Sequence, residues 1–250
     1  MTHKTKGIMT KLRFFSLAAA FTLSALTFTS CDDDDCNWDY SRLPTALVTV
    51  YPEETGFFLQ LDDRTRLVPT NMTASPYGDK VVRALVNFTE QEKTGDDVRN
   101  IHINWIDSIR TKMPVTSAGE EDNAVYGNDP VEIIRDWVTV AEDGFLTLRF
   151  RTIWGGTQTH VVNLLSGVNP DNPLEFTLKH NAAGDTMGSM GDALIAFDLN
   201  DILKEHEDEV TIKLNWSSFS GPKSTEFKLK KHRSLSIASS ERLPMSRYVE

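Results

Sequence analysis

From residue 45 onward the apolar residues come in short runs, most of them alternating with polar ones, and helical spacing is nearly absent. In the first half the runs cover 45–51, 57–62, 66–68, 80–88 and 98–109. They are β-branched and aromatic, and turn formers separate them: Pro52, Gly56, Asn71, Ser75-Pro76, Gly78-Asp79 and Gly95-Asp96. That combination predicts strands. Phe57, Leu59 and Leu61 alternate with Phe58, Gln60 and Asp62, as a half-buried strand requires. In the last run Ile101, Ile103 and Trp105 share a parity that breaks at Ile106-Asp107-Ser108. A bulge or sharp bend near Trp105 is therefore expected to bring Ile106 onto the apolar face. Five bent strands is the count of an OB-type barrel, and another small barrel fits the pattern equally.

Residues 111–130, TKMPVTSAGEEDNAVYGNDP, are rich in Pro, Gly, Ser, Asn and acids and read as the connection between domains, with the linker proper at 113–129. Beyond it the alternation is clearer. Leu146, Leu148, Phe150 and Trp154 fall on one face of 145–154, and Thr147, Arg149 and Arg151 on the other. Asp143-Gly144 separates this run from 131–140, and Gly155-Gly156 separates it from 159–165; both pairs are hairpin signals because they tolerate positive φ. Further runs centre on Phe176, on 194–199, on 210–216 and on Phe227 with Leu229. Seven alternating strands predict a β-sandwich over 130–231. Residues 200–208 are expected to make one or two helical turns, and 232–250 lose all periodicity and are expected to be disordered.

The one long apolar run lies at the start. Lys4, Lys6, Lys11 and Arg13 form a basic head before an uncharged stretch at 14–30. This is the pattern of a secretory signal peptide, too short for comfort as a membrane span, which needs ~20 residues to cross ~30 Å of hydrocarbon. Met9 could equally be the start, since 9–13 already supply the charged head. The run ends at Phe28-Thr29-Ser30-Cys31, which resembles a bacterial lipobox with Phe28 in place of the usual Leu. Asp32, Asp33, Asp34 and Asp35 look like the acidic export signal of surface lipoproteins in some Gram-negative anaerobes. The expectation is a diacylated Cys31, a tether over 31–44, and an outer-membrane protein facing outward. A plain signal peptide with an ordinary thiol is the competing reading. Each acyl CH₂ buried contributes about 0.8 kcal/mol, and two chains suffice for stable attachment.

Removing residues 1–30 takes four of the 26 Lys and Arg and none of the 36 acids, which leaves a net charge of −14. Phosphate binding draws on clustered Lys and Arg, so nucleic acid is not an expected partner. Both cysteines, Cys31 and Cys36, sit at the leader junction, so the folded body has neither disulfides nor thiolate metal sites. Cys36 reads as a passenger of the tether.

The chain resembles the NigD-like family of bacterial lipoproteins. The stretches that carry the resemblance include 46–50 (ALVTV), 58–63 (FLQLDD), 77–88 (YGDKVVRALVNF), 103–109 (INWIDSI) and Asp136-Trp137. Stronger still are 142–152 (EDGFLTLRFRT), 160–164 (HVVNL) and 213–219 (KLNWSSF). The resemblance spans about 31–231 and implies an all-β protein with an N-terminal OB-like domain, over 45–112, followed by the sandwich. The family takes its name from a bacteriocin-associated locus, a hint of an immunity role, and supplies no catalytic residues to carry over.

Candidate chemistry is sparse. His102, His160, His180, His206 and His232 show no ligand spacing. His160 and His180 could meet across a sheet, where hydrogen-bonded histidines are commoner than metal ligands. Asp62-Asp63 and Glu142-Asp143 would serve acid–base catalysis only if desolvated in a cleft. Arg149 and Arg151, with His160, are the candidate ligand patch, although strand arginines more often pair with cross-strand acids. Trp105, Trp154 and Trp216 fall on apolar parities and are expected in the core, while Trp38 lies in the tether. The function expected is non-enzymatic, with no cofactor or metal: a lipid-anchored envelope protein with a binding or protective role toward a protein, or a glycan-binding accessory of an outer-membrane uptake system.

Overall fold

The computed structural model describes residues 42–93 and 95–232. The expected signal peptide and tether, with Cys31, its aspartates and Cys36, and the tail beyond His232 lie outside the described residues. Five strands, β1 (Ala46–Glu53), β2 (Gly56–Gln60), β3 (Arg66–Pro69), β4 (Val82–Lys93) and β5 (Val98–Ser108), close into a barrel in the order β1-β2-β3-β5-β4. The β3–β5 pair that closes it is parallel and the others are antiparallel. Val48, Val50, Phe57, Leu59, Leu67, Ala84, Val86, Ile101 and Ile103 fill the interior.

The bend expected near Trp105 is present. Asn87 faces Trp105 while Phe88 faces Ile103, so Asn104 is an extra residue in β5. Its amide donates to Asn87 Oδ1 at 2.7 Å. The bulge reverses the strand's parity, so Ile106 packs on the core. The same reversal corrects the expectation for Trp105, which is turned out of the core and left half-buried.

Beyond the barrel come β6 (Thr111–Lys112), β7 (Val115–Thr116), a 3₁₀ turn (Gly119–Glu121), α1 (Asp122–Tyr126), β8 (Glu132–Ile134), β9 (Val140–Glu142), β10 (Phe145–Trp154) and β11 (Val161–Ser166). They are followed by β12 (Glu175–Asn181), β13 (Ser189–Asp198), α2 (Asn200–Leu203), β14 (Glu209–Ser218) and β15 (Gly221–Lys230). One sheet runs β6-β13-β10-β8, with β9 also on β10, and the facing sheet runs β15-β14-β12-β11-β7. Leu146, Leu148, Phe150, Leu164, Phe176, Leu178, Ile195, Phe197, Ile212, Leu214 and Trp216 meet between them. The expected turn at 200–208 is α2.

Three local expectations need correction. The supposed connection at 111–130 belongs to the sandwich, since β6 pairs in parallel with β13 and β7 in parallel with β11. Lys112 Nζ, reaching from β6, donates to Val162 O at 2.7 Å and Asn163 Oδ1 at 2.6 Å and so ties one sheet to the other. The run 131–140 is not one strand, because the Asp136 carboxylate accepts the N–H groups of Val138 and Thr139 and turns the chain between β8 and β9. Asp143-Gly144 does close a two-residue hairpin, with both φ angles positive. Gly155-Gly156, however, carries the chain from one sheet to the other. Asp185, in the loop after β12, captures the N–H groups of Gly155 (3.0 Å) and Gly156 (2.9 Å) and supplies what a hairpin ladder would have given them.

The described residues of barrel and sandwich belong to one compact unit. Leu47, Leu85 and Ile109 from the barrel side meet Val138, Val140, Leu194 and Ala196. Beside them Arg83, 1% exposed, sends Nη1 to Thr49 Oγ1 (2.8 Å), Nε to Thr147 Oγ1 (3.2 Å) and Nη2 to Glu142 Oε1 (2.5 Å). Tyr51 donates to Asp143 Oδ2 at 3.0 Å and stacks between Phe58 (5.1 Å) and His232 (4.3 Å). Burial, the Asp143 charge and that hydrogen bond hold the Tyr51 hydroxyl far above its ordinary pKa, so it stays a donor. Arg83→Ala strands three polar partners at the joint and is expected to cost about 3 kcal/mol, the low end for a broken buried pair because Glu142 is partly wet. Chemical denaturation should show a lower midpoint and a barrel transition separating from that of the sandwich. An unchanged single transition would mean that the apolar contacts alone join the two.

Candidate functional site

The β8–β9 turn shapes the most ligand-like concavity at the joint. Asp136 bends the chain, Thr139 Oγ1 donates to Ile134 O (2.5 Å) and accepts the Arg149 N–H (3.0 Å), and Val138 is driven into the joint. The residue between, Trp137, is extruded and 56% exposed. It borders a groove of about 420 Å³ together with Leu43, Pro44, Val138, Leu85 of β4, Arg149 of β10, and Asp192, Ala193 and Leu194 of β13. Leu43, the second described residue of the chain, is 48% exposed. Walls from two domains, an aromatic at the rim and a few polar groups are the usual make-up of a binding site.

The polar end is tightly ordered. Asp192 lies opposite Arg151 across the β10–β13 ladder. It receives Arg149 Nε (2.9 Å) and Nη2 (2.6 Å) and Arg151 Nε (2.5 Å) and Nη2 (3.0 Å). Arg149 Nη1 turns the other way, to Asp136 Oδ2 at 2.8 Å. Arg151 first, then Arg149, holds the Asp192 carboxyl down at about 2.

Of the three residues read as a ligand patch, Arg149 and Arg151 are brought together through Asp192, and only Arg149 lines the groove. His160 is elsewhere. Its side chain is 2% exposed and turned into the sandwich, with Nδ1 2.9 Å from His180 Nε2 and Nε2 3.2 Å from Asp185 Oδ2. That the two histidines could meet across a sheet is expected from the sequence, and they do, His160 standing just before β11 and His180 in β12, whereas Asp185 sits in a loop with no periodic signal. Trp137 was hidden because 131–140 reads as an unbroken strand. Among the described residues no group of three or more His, Cys, Asp or Glu is placed to hold a metal ion. His180, His160 and Asp185 lie in series, each facing the next.

The other paired acids are also engaged. Asp62 accepts the N–H groups of Arg64 and Thr65, Asp63 pairs with Lys230, Glu142 with Arg83, and Asp143 with Tyr51 and His232. A larger cavity, about 530 Å³, lies on the barrel between the β1–β2 turn, β3 and Val98. Its aromatic wall is closed by Arg66, whose guanidinium lies 4.1 Å from the Phe58 centroid.

Residues 47–109 match the NigD-like N-terminal OB domain, and residues 113–229 match the NigD-like C-terminal beta sandwich domain. The chain belongs to the NigD-like family. A toxin-related protein from Parabacteroides distasonis is 30% identical, with 74% of this chain and 92% of that one covered and a TM-score of 0.63. A NigD-like immunity protein from Bacteroides caccae (18% identical, 74% and 95% covered, TM-score 0.52) and a lipoprotein from Bacteroides fragilis (14% identical, 75% and 98% covered, TM-score 0.50) share the fold. No curated protein matches the chain. Among the described residues of this NigD-like protein, no helix is long and apolar enough to cross a membrane.

A carbon-detected titration tests the groove's polar end. Because the folded pKa of Asp192 lies below its ordinary value, the Arg–Asp–Arg bridge is complete above about pH 4 and is lost only as pH falls through about 2. A midpoint at the ordinary carboxylate value of about 3.9 would mean that the guanidiniums are free to meet a ligand's anion instead.

Proposed function

We propose that this NigD-like protein is a non-enzymatic lipoprotein, anchored by acyl chains on Cys31 in the outer membrane and displayed at the cell surface, that protects the cell by binding a protein partner. The observation that carries the binding role is the joint groove, where an exposed Trp137 and an ordered Arg149 flank an aliphatic floor. Trp and Arg are among the residue types on which protein recognition most often depends. The immunity and toxin-related relatives support a protective role, and the B. fragilis lipoprotein supports the anchor. A non-enzymatic role fits the way the paired acids are used: each holds a turn or a joint, and none projects unpartnered into a cleft.

A second reading, a glycan-binding accessory protein, draws on the same Trp137, since an exposed indole in a concave site also suits the apolar face of a sugar. Trp137→Ala separates binding from folding. It should leave thermal stability unchanged and weaken capture of the partner by about tenfold or more, or about 1.4 kcal/mol. Panels of basic secreted proteins and of oligosaccharides, offered to the full chain and to the variant, decide which class is bound. Wild-type affinity in the variant would remove the groove from the proposal.

For the anchor, Cys31→Ala should shift the protein from the membrane fraction to the soluble one. Protease added to intact cells should degrade the wild type if Asp32 to Asp35 direct it outward; full protection would place it on the inner face.

A further inference from the structure

At one end of the sandwich the β10–β11 crossover meets the loop at 182–188, with no room to spare between them. A Cβ on Gly155 would lie 2.2 Å from Asp185 Oδ1, one on Gly188 2.0 Å from Trp154 O, and one on Gly191 2.8 Å from the Trp154 ring. Trp154 stacks on His160 at 4.2 Å and donates Nε1 to Gly191 O at 2.8 Å. Inside this contact lie the buried groups His160, His180 and Asp185. They form one hydrogen-bonded chain.

Asp185 accepts the Thr157 hydroxyl (2.6 Å) and the Gly155 and Gly156 N–H groups. The Thr157 bond above all, with His160 and the backbone donors, outweighs burial and holds its carboxyl well below the usual range. An ionised Asp185 requires the proton of His160 to sit on Nε2. His160 Nδ1 is then a lone pair, and at 2.9 Å it must be met by an N–H on His180 Nε2. His180 Nδ1, buried and with no hydrogen-bond partner, is the remaining lone pair. One extra proton there makes an imidazolium that still donates to His160, so the chain survives. A second proton has only His160 Nδ1 to occupy. That sets N–H against N–H and places two cations with ring centroids 5.0 Å apart.

We propose that His160, His180 and Asp185 form a proton-sensitive latch that clamps the 155–159 crossover to the 182–188 loop at neutral pH and releases both in acid. The charged groups facing the pair are Asp185 and, from the segment before β8, Asp129, whose carboxylate accepts the Ala182 N–H at 2.7 Å. Trp154 and Phe150 cover the rings with uncharged surface. Desolvation, and then the neighbouring His160, push the His180 pKa below its ordinary value. The open state therefore binds more protons than the closed one. The latch is complete above the ordinary histidine value of about 6.5 and weakens as pH falls through the lower folded value of His180, by up to tenfold in the opening constant per pH unit for the proton withheld. The loop that is freed carries Met187, 89% exposed. Its release would reshape an apolar surface and uncover Trp154.

Amide hydrogen exchange on the full chain tests this. After correction for intrinsic rates, protection at 155–157 and 182–188 should drop at least about tenfold between about pH 7.5 and about pH 4.5, while the middle of β10 and β12 holds. His180→Gln, whose amide rotates to meet either form of His160, should flatten the response. Unchanged protection in the wild type overturns the latch, and so does an equal acid response in His180→Gln. Should that variant fail to fold, imidazole titration of the wild type decides. A depressed midpoint for His180 is expected, and an ordinary one near about 6.5 overturns the proposal.

Discussion

One buried guanidinium organises the joint on which the architecture depends. A barrel and a sandwich each satisfy their own backbone, so nothing in either requires the other. What commits them is Arg83, on the outer face of β4, which has no water to turn to once the sandwich covers it. Its donors are met by a hydroxyl of its own barrel, a hydroxyl of β10 and the Glu142 carboxylate. Such a bond set is directional, and an apolar contact is not. Leu47, Leu85, Val138 and Ala196 would tolerate a slide of one face over the other, whereas the three bonds of Arg83 tolerate a single placement. The Tyr51–Asp143–His232 cluster extends the same joint in the same way.

The groove is a by-product of that joint. Joining two convex bodies leaves a concavity along the seam, and its lining is whatever each body happens to bring there. From the barrel come Leu43, Pro44 and Leu85, and from the sandwich Trp137 and the strand pair β10–β13. Trp137 is exposed because Asp136 takes two N–H groups ahead of it and throws the chain into a turn. Next to it Val138, one residue on, is buried as a plug between domains. A single short turn thus supplies both a structural anchor and a recognition residue.

Acidic side chains, so numerous in the composition, turn out to be internal fasteners. Asp136 and Asp192 organise arginines, Asp185 closes the sheet-to-sheet crossover, and Glu175 is held down at about 2 by Asn169, Asn215 and Lys213. In a body without disulfides, such ionised acceptors let loops be ordered by hydrogen bonds, each stronger for carrying a charge. Asp185 is the furthest developed case, because its acceptor capacity fixes the tautomer of one histidine and through it that of a second.

Alternation by itself determined that the protein is all-β and where most strands run, because side-chain period and strand geometry are the same fact read twice. It placed the bulge in β5, the Asp143-Gly144 hairpin and the pairing of Arg149 and Arg151 with acids. Trp105 was misread for the same reason, since period-two counting carries no information past the residue that breaks the period. Tertiary structure alone decided the rest. Thr147 lies on a polar parity yet is fully buried, because a second domain lies over that face. Residues 111–130 have the composition of a linker yet pair with β13 and β11, because two-residue strands leave no periodic trace. Gly155-Gly156 crosses between sheets, not back along one, because Asp185, thirty residues on, takes their N–H groups. Each of these depends on a partner distant in the chain, and local sequence holds no record of which partner will arrive.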